Sequence, residues 1–323
     1  MDTKELLRVE GLKKYFHLKG GHVLKAVDDV SFTLRKGETL GLVGESGCGK
    51  TTVGRTLLKI YEPDGGKIFY GGNDITKTKR KQQFELCSKM QMIFQDPYSS
   101  LNPFMTVGEI ISEGLDAHKI GANRQERNEI MYELLKQVGL HHSHANRFPH
   151  EFSGGQRQRV GIARALAVNP EFIVCDEAIS ALDVSVQAQI VNLLLDLRDE
   201  RDLSYLFISH DLSVVRYISH RVAVMYLGRI VEYGASEEVY SHPAHPYTVG
   251  LMNAVPVTDP EVEKAKQYTK LPGEVSSPID TKPGCLFANR CPYATEKCRQ
   301  ETPELKKIAH DHYAACHVLG GEK

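Results

Sequence analysis

The chain has 323 residues, enough for one large core and a second, smaller unit at roughly 100–200 residues per domain. Its 40 basic and 41 acidic residues give a formal net charge of -1, which removes any global pull towards nucleic acid or an anionic membrane. No stretch approaches the roughly 18 consecutive apolar residues of a membrane span, and MDTKELLRVEGLKKYF lacks the apolar run of a secretory signal, so a soluble, cytosolic chain is expected.

In chain order, Ser31 to Leu34 alternates as a short strand does, Lys36-Gly37 reads as a turn, and Thr39 to Val43 is an apolar run expected as a buried strand. GESGCGKT follows at once, and Thr51 to Ile60 then carries Val53, Thr56, Leu57 and Ile60 at helical spacing. A long insertion, about 96–170, has helical patterns at Arg124 to Val138 and Gln156 to Val168 and is expected as a helical subdomain. Phe172 to Cys175 and Tyr205 to Ile208 read as two more buried strands. Between them, Val186, Ile190, Leu193 or Leu194, and Leu197 line one face of a helix. Strands alternating with helices indicate a parallel sheet covered on both faces, so the expected class is α/β. Arg221 to Tyr226 and Ile230 to Tyr233, joined by Leu227-Gly228-Arg229, read as a hairpin. After Gly234 prolines become frequent and four of the seven cysteines crowd together, which places a boundary near residue 235. The expected division is therefore 1–234 and 235–323, with no low-complexity tract or internal repeat.

Phosphate oxygens carry concentrated charge that a loop without side-chain bulk surrounds with backbone N–H groups, aided by the positive end of the following helix. In Gly44, Glu45, Ser46, Gly47, Cys48, Gly49, Lys50, Thr51 and Thr52 the glycines let the backbone curl, Lys50 reaches the β- and γ-phosphates, and Thr51 offers its hydroxyl to Mg²⁺. FIVC ends in Asp176-Glu177 at the edge of a parallel sheet where ligands of such folds sit. Asp176 is expected to hold Mg²⁺ and Glu177 to orient or deprotonate the attacking water. His210, after the next strand, is expected to sense the γ-phosphate, and Gln95, ending MQMIFQ, to touch Mg²⁺ and that water.

Residues 152–156 read FSGGQ before RQRVGIARALAVNP, so Ser153, Gly154, Gly155 and Gln156 form a second anion-binding helix start in one chain. Two phosphate sites for one pocket suggest two copies paired head to tail, each offering its serine-glycine motif to the other's nucleotide. With the phosphate loop, Gln95, FSGGQ, Asp176-Glu177, Ser180-Ala181-Leu182-Asp183 and His210 in this order, the chain from about Leu7 to Gly234 resembles the ATP-binding subunits of ABC transporters. The resemblance implies a P-loop NTPase fold of the ABC nucleotide-binding type, with a helical subdomain, an antiparallel β subdomain and a small C-terminal extension. It also implies ATP and Mg²⁺, an ATP-closed dimer reopened by hydrolysis, and an aromatic stacked on adenine, for which Phe16 fits and Tyr15 is the alternative. Two positions depart from the family pattern. Phe152 stands for the usual leucine, and Ala178-Ile179 for the usual Pro-Thr, a change expected to relax that turn while leaving Glu177 in place.

QDPYSSLNPFMTVGE, HPAHPYTVGLMNAVP and GCLFANRCPYATEKC resemble the branch that imports oligopeptides and dipeptides, with nickel and glutathione importers as relatives. By that resemblance the partners are a second, related ATPase subunit in a heterodimer, two transmembrane permease subunits and an extracytoplasmic peptide-binding protein, with no nucleic acid. The location implied is peripheral, at the cytoplasmic face of the cell membrane. The spacing of Cys285, Cys291, Cys298 and Cys316 matches neither the short zinc pattern nor ferredoxin spacings and leaves unligated thiols and a metal site equally open. The branch resemblance implies a [4Fe–4S] cluster there, with zinc as second choice. A different class, a soluble ABC ATPase of translation or DNA repair, goes with two cassettes or a long coiled-coil insertion, and this chain has neither. A third reading makes the cysteine segment a redox sensor to which the ATPase is subordinate.

Overall fold

The structure is a computed structural model that describes residues 4–254 and 277–319; Pro256, Pro260 and Pro272 of the expected extension lie outside them. The chain forms two compact units, one of Lys4, Arg35–Glu38 and Lys77–Ile208, the other of Glu5–Leu34, Thr39–Thr76 and the described residues from Ser209 on.

In the first unit the strands β6 (Met90–Ile93), β7 (Phe172–Asp176) and β8 (Ser204–Ile208) pair in parallel, Val174 opposite both Met92 and Leu206. All five residues of β7 and of β8 are buried, so both faces are covered and the strands read as unbroken apolar runs, not alternations. Helices α2 (Arg80–Lys89), α3 (Val107–Ala117), α4 (Arg124–Gln137), α5 (Gly154–Leu166) and α6 (Val184–Arg201) complete the unit, with short 3-10 turns at His142–Asn146 and Pro149–Glu151. Their starts follow from local side chains. Thr106 and Glu109 form a reciprocal capping box on α3, the Asn123 side chain accepts from the Glu126 N–H of α4, and Asp183 accepts from the Val186 N–H of α6. The α6 helix ends where Asp202 turns left-handed. The two helical patterns expected in the insertion are α4 and α5; α3, and α2 just ahead of it, are additional.

The second unit holds an antiparallel sheet in the order β2 (Val23–Arg35), β1 (Glu5–His17), β4 (Gly65–Tyr70), β5 (Asn73–Asp74). It also holds β3 (Thr39–Val43), which pairs in parallel with β9 (Arg221–Tyr226), and β9 makes a tight hairpin with β10 (Arg229–Ala235). The hairpin turn is Leu227-Gly228, both at positive φ, which matches the twist of the flanking strands. Helix α1 (Lys50–Leu57) starts at the glycine loop, and α7 (Leu212–Ile218), α8 (Ser236–Ser241) and α9 (Pro246–Asn253) follow later. It stops three residues short of the expected Ile60, with Lys59 left-handed. After α10 (Glu296–Gln300) the chain returns as β11 (Lys306–Ala309) and β12 (His312–Ala314), and β12 pairs antiparallel with β10.

That return builds a buried polar knot. The fully buried Glu232 carboxylate accepts from the backbone N–H groups of Ala244 (2.8 Å) and His245 (2.7 Å) and from the ring of His312 (2.7 Å). A carboxylate only accepts, so Nε2 of His312 carries the hydrogen. His245 is buried too, and its Nδ1 accepts from the Tyr247 N–H at the start of α9. Desolvation lowers its pKa from 6.5 to about 4 against the opposing pull of Glu232. The folded chain therefore holds this ring neutral where the unfolded chain protonates it. The stability it contributes is whole above pH 6.5 and is lost as the pH falls towards 4, at no more than about 1.4 kcal/mol per pH unit. His245→Asn keeps a capping acceptor but no titration. In urea titrations at pH 7.5 and pH 5, the variant is expected to lose about 2 kcal/mol less than the parent chain over that interval. Equal losses would show that the ring is not held neutral by burial.

Candidate active site

In the second unit β3 delivers the chain into the loop at Gly44, and α1 begins at Lys50. The loop lies hard against its neighbours. A Cβ on Gly44 would stand 2.1 Å from the Met225 carbonyl oxygen, and one on Gly49, at φ +106°, 2.0 Å from that of Ala26. No side chain fits either place, which is why the glycine spacing exists. Gly44, Cys48 and Lys50 are buried, Glu45 is half-buried, Ser46 and Gly47 are exposed, and Thr51 and Thr52 are half-buried on the first turn. The Lys50 ammonium donates to the carbonyls of Gly44 (2.8 Å) and Glu45 (3.1 Å) and lies 3.8 Å from Cys48 Sγ. Burial raises the Cys48 thiol pKa, with the Lys50 charge acting against it.

Tyr15 and Phe16 are separated by their partners. The Tyr15 hydroxyl donates to Asp28 at 2.6 Å, and Asp28 also takes both Nε and Nη2 of Arg229. Burial and that carboxylate raise the phenol far above its usual range, so it stays a committed donor. Phe16 remains half-buried, edge-on to Tyr61 with centroids 5.5 Å apart. His210 is exposed, two residues beyond β8, and Asp211 caps α7.

In the first unit β7 ends with Asp176, only 2 % exposed, and Glu177 follows in the left-handed region at φ +47°. Such a backbone costs of order 1–3 kcal/mol in a non-glycine residue and persists where its surroundings impose it. Here the Glu177 N–H donates to the Ile208 carbonyl (3.0 Å), and the Ser180 backbone and hydroxyl both donate to the Glu177 carbonyl (3.1 and 3.0 Å). Ala178 and Ile179 are buried, so the departure from Pro-Thr is absorbed as packing within a hydrogen-bonded turn. Gln95 Nε2 donates to Glu177 Oε2 at 2.9 Å, bringing together two residues 82 positions apart. With that nitrogen engaged, the amide oxygen is the atom of Gln95 suited to a cation. The Gln95 amide oxygen and the Asp176 carboxylate in this unit, like the Thr51 hydroxyl in the other, are each hard donors of the kind Mg²⁺ prefers.

Ser153 caps α5 in a reciprocal box with Gln156, their bonds 3.4 and 3.0 Å, and the Gly154-Gly155 backbone opens the helix. Phe152 is buried edge-on to His144 with centroids 5.4 Å apart, so the larger ring anchors this segment as leucine would.

Cys285, Cys291, Cys298 and Cys316 fall in one neighbourhood of the second unit. Burial pushes the Cys285 thiol up to about 11, helped by the other three. Backbone groups just downstream, of Phe287, Tyr293, and Val318 with Leu319, work against the burial that raises the Cys285, Cys291 and Cys316 thiols, and Cys298 Sγ lies 3.3 Å from the Thr295 hydroxyl. Among the described residues no group of three or more His, Cys, Asp or Glu is spaced to hold a metal ion. The expected [4Fe–4S] cluster, and zinc in its place, therefore have no support in the structure.

The loop has two contacts that sequence reasoning missed. The Glu45 N–H donates to the Tyr247 hydroxyl (2.8 Å), and the Glu45 carboxylate takes both terminal nitrogens of Arg290 (2.9 and 3.1 Å). Those bonds hold the guanidinium even more firmly protonated than usual. Both residues sit in stretches already conspicuous in the sequence, HPAHPYTVGLMNAVP and GCLFANRCPYATEKC, but nothing local points from either to the loop.

Residues 27–180 match the family described as ABC transporter, and residues 231–298 that described as oligopeptide/dipeptide transporter, C-terminal region. The chain is 54% identical over 315 residues to the oligopeptide transport ATP-binding protein OppF of Bacillus subtilis, covering 97% of each chain. It is 51% identical to AppF of the same organism, covering 98% of each. The chain belongs to the ABC transporter family. It is a transport ATPase of that family, with an α/β ABC cassette fold and ATP with Mg²⁺ as its ligands. Among solved structures, the ATP-binding cassette MJ0796, in a dimeric post-hydrolysis state bound to ADP and Pi, is similar at TM-score 0.65 and 26% identity, covering 72% of this chain and 99% of that one. The cassette MJ1267 in its ADP conformation is similar at TM-score 0.64 and 28% identity, over 77% and 99%.

Gly49→Ala in this ABC ATPase puts a methyl group into the Ala26 carbonyl, so the loop must leave its seat. The expected result is a loss of about 1–3 kcal/mol in stability and at least tenfold weaker nucleotide binding, read by thermal melting and calorimetry. Unchanged binding would mean the loop does not need this close approach.

Proposed function

We propose that this chain is the ATP-hydrolysing subunit of an importer of oligopeptides or dipeptides, peripheral to the cytoplasmic face of the membrane. The observation that carries the cargo assignment is the 54% identity to OppF over 97% of both chains. Its partners are two permease subunits, an extracytoplasmic peptide-binding protein and a second, related ATPase in a heterodimer. No helix among the described residues is long and apolar enough to cross a membrane, which agrees with a peripheral subunit carried by permeases. Residues 1–234 act as the ATP-binding domain, with 96–170 as its helical subdomain, and 235–323 as the extension.

In this reading Gly44 to Thr52 cradle the triphosphate, Lys50 turns from the loop carbonyls to the β- and γ-phosphates, and Phe16 stacks on adenine, Tyr15 being committed to Asp28. Thr51, Gln95 and Asp176 would hold Mg²⁺, which when bound would neutralise phosphate charge. Glu177, steered by Gln95, orients the attacking water and takes its proton, while His210 contacts the γ-phosphate. Ser153, Gly154, Gly155 and Gln156 face the nucleotide of the partner ATPase, as the start of a capped helix suits an anion. ATP thereby closes the pair, and hydrolysis reopens it and drives the permease. No step runs through the four C-terminal cysteines.

Glu177→Gln is expected to keep ATP binding, trap a closed pair on gel filtration and slow phosphate release by about 10²-fold or more. Normal turnover would remove Glu177 from the mechanism. Ser153→Arg, made in a complex whose two sites are assayed separately, is expected to cripple the site on the partner's loop. Loss confined to this chain's own loop would refute the head-to-tail arrangement.

A further inference from the structure

Every polar handle of Glu45 is taken. Its N–H goes to Tyr247, its carbonyl to Lys50 and its carboxylate, through a two-pronged ion pair, to Arg290. Two of these three partners come from beyond residue 235, and Arg290 is 245 positions from Glu45 in sequence. Both are firmly seated. Tyr247 is fully buried, its ring 4.6 Å from Tyr226 and 5.5 Å from Phe287. The Arg290 side chain, 7% exposed, lies over the same Tyr226 and Phe287 rings at 5.9 and 5.7 Å. Arg290 is next to Cys291, within the cysteine-bearing segment.

The charge at this point has a consequence for an anionic ligand. Glu45 is the second residue of a loop read as a triphosphate cradle, so its carboxylate is a negative charge built in beside four more. A bidentate guanidinium cancels that charge and fixes the backbone whose carbonyl holds Lys50. Without the arginine, a half-buried carboxylate is left unpaired and repels the phosphates.

We propose that Arg290 is a positioning residue for the phosphate loop, holding and neutralising Glu45 so that the C-terminal segment sets how tightly the loop takes ATP. The inference rests on reading Gly44 to Thr51 as the triphosphate loop. It makes the C-terminal segment a controller of nucleotide affinity, because any change that shifts Arg290 is felt at Glu45.

The test uses the full-length chain, binding of AMP-PNP with Mg²⁺ by calorimetry, ATP turnover in the assembled complex, and thermal melts of each variant. Arg290→Gln is expected to weaken binding about tenfold and raise KM while kcat at saturating ATP changes less than about twofold. Arg290→Lys keeps the charge but loses the fork, with a loss of about threefold. The deciding variant is Glu45→Gln combined with Arg290→Gln. Removing the stranded carboxylate should recover affinity to within about threefold of the parent, whereas loss of mere packing on Tyr226 and Phe287 would not be recovered. If Arg290→Gln does not fold, Arg290→Lys and the double variant decide. Parent-like affinity in the lysine variant, or a double variant no better than the single, overturns the inference. Lys50→Ala separates the underlying reading: if that variant binds nucleotide normally, the loop assignment itself fails, whatever Arg290 does.

Discussion

Two carbonyl oxygens, of Ala26 and Met225, crowd the phosphate loop so closely that the α-carbons facing them cannot carry side chains. This contact fixes the course of the loop. It lets Lys50 be buried among carbonyls where its charge is solvated by dipoles, and it starts α1 directly at the end of the loop. It also gives residues far along the chain a stationary target. Tyr247 and Arg290 can engage Glu45 with ordinary hydrogen-bond lengths because the segment they reach does not wander. A flexible glycine loop with the same composition would offer neither a steady lysine nor a steady acceptor.

The acidic half of the machinery depends on a different device. Glu177 sits in a conformation that L-residues avoid, its N–H bonded to Ile208 and its carbonyl accepting twice from Ser180. Its side chain accepts from Gln95, and the Gln95 amide is thereby oriented. The exchange of Pro-Thr for Ala178-Ile179 is tolerated because Ser180 supplies the closing bonds and the two apolar side chains are simply buried.

What could be read from the sequence follows from which forces act locally. The strands β3, β7 and β8 were legible because covering both faces leaves continuous apolar runs, and the loop was legible because phosphate chemistry dictates residue types at fixed spacing. By contrast β1 was invisible. Its alternation breaks at a bulge between Glu10 and Lys13, with Gly11 at positive φ, so its period of two is lost halfway. Helix α2 buries none of its residues and so prints no apolar stripe at all. Of the site, Gln95 and Glu177 were each singled out by their place in the motif order, while their bond to each other and the reach of Arg290 to Glu45 were not, since pairings across 82 and 245 positions leave no periodicity to detect. The cysteines are a separate case: crowding in sequence set them in one neighbourhood, while among the described residues no group of three or more His, Cys, Asp or Glu is spaced to hold a metal ion.

The strand β12 gives the order of assembly a particular shape. Glu232 is committed to a dry interior on β10, yet its imidazole partner is synthesised 80 residues later. Until His312 arrives, a nascent chain has a sheet whose border is unzipped and an acid with one donor too few, which is the kind of half-finished surface that sticks to other chains. Completion of the second unit is therefore a late event in biogenesis, since the sheet edge at β10 and the acid at Glu232 are satisfied only once β12 and His312 have been made.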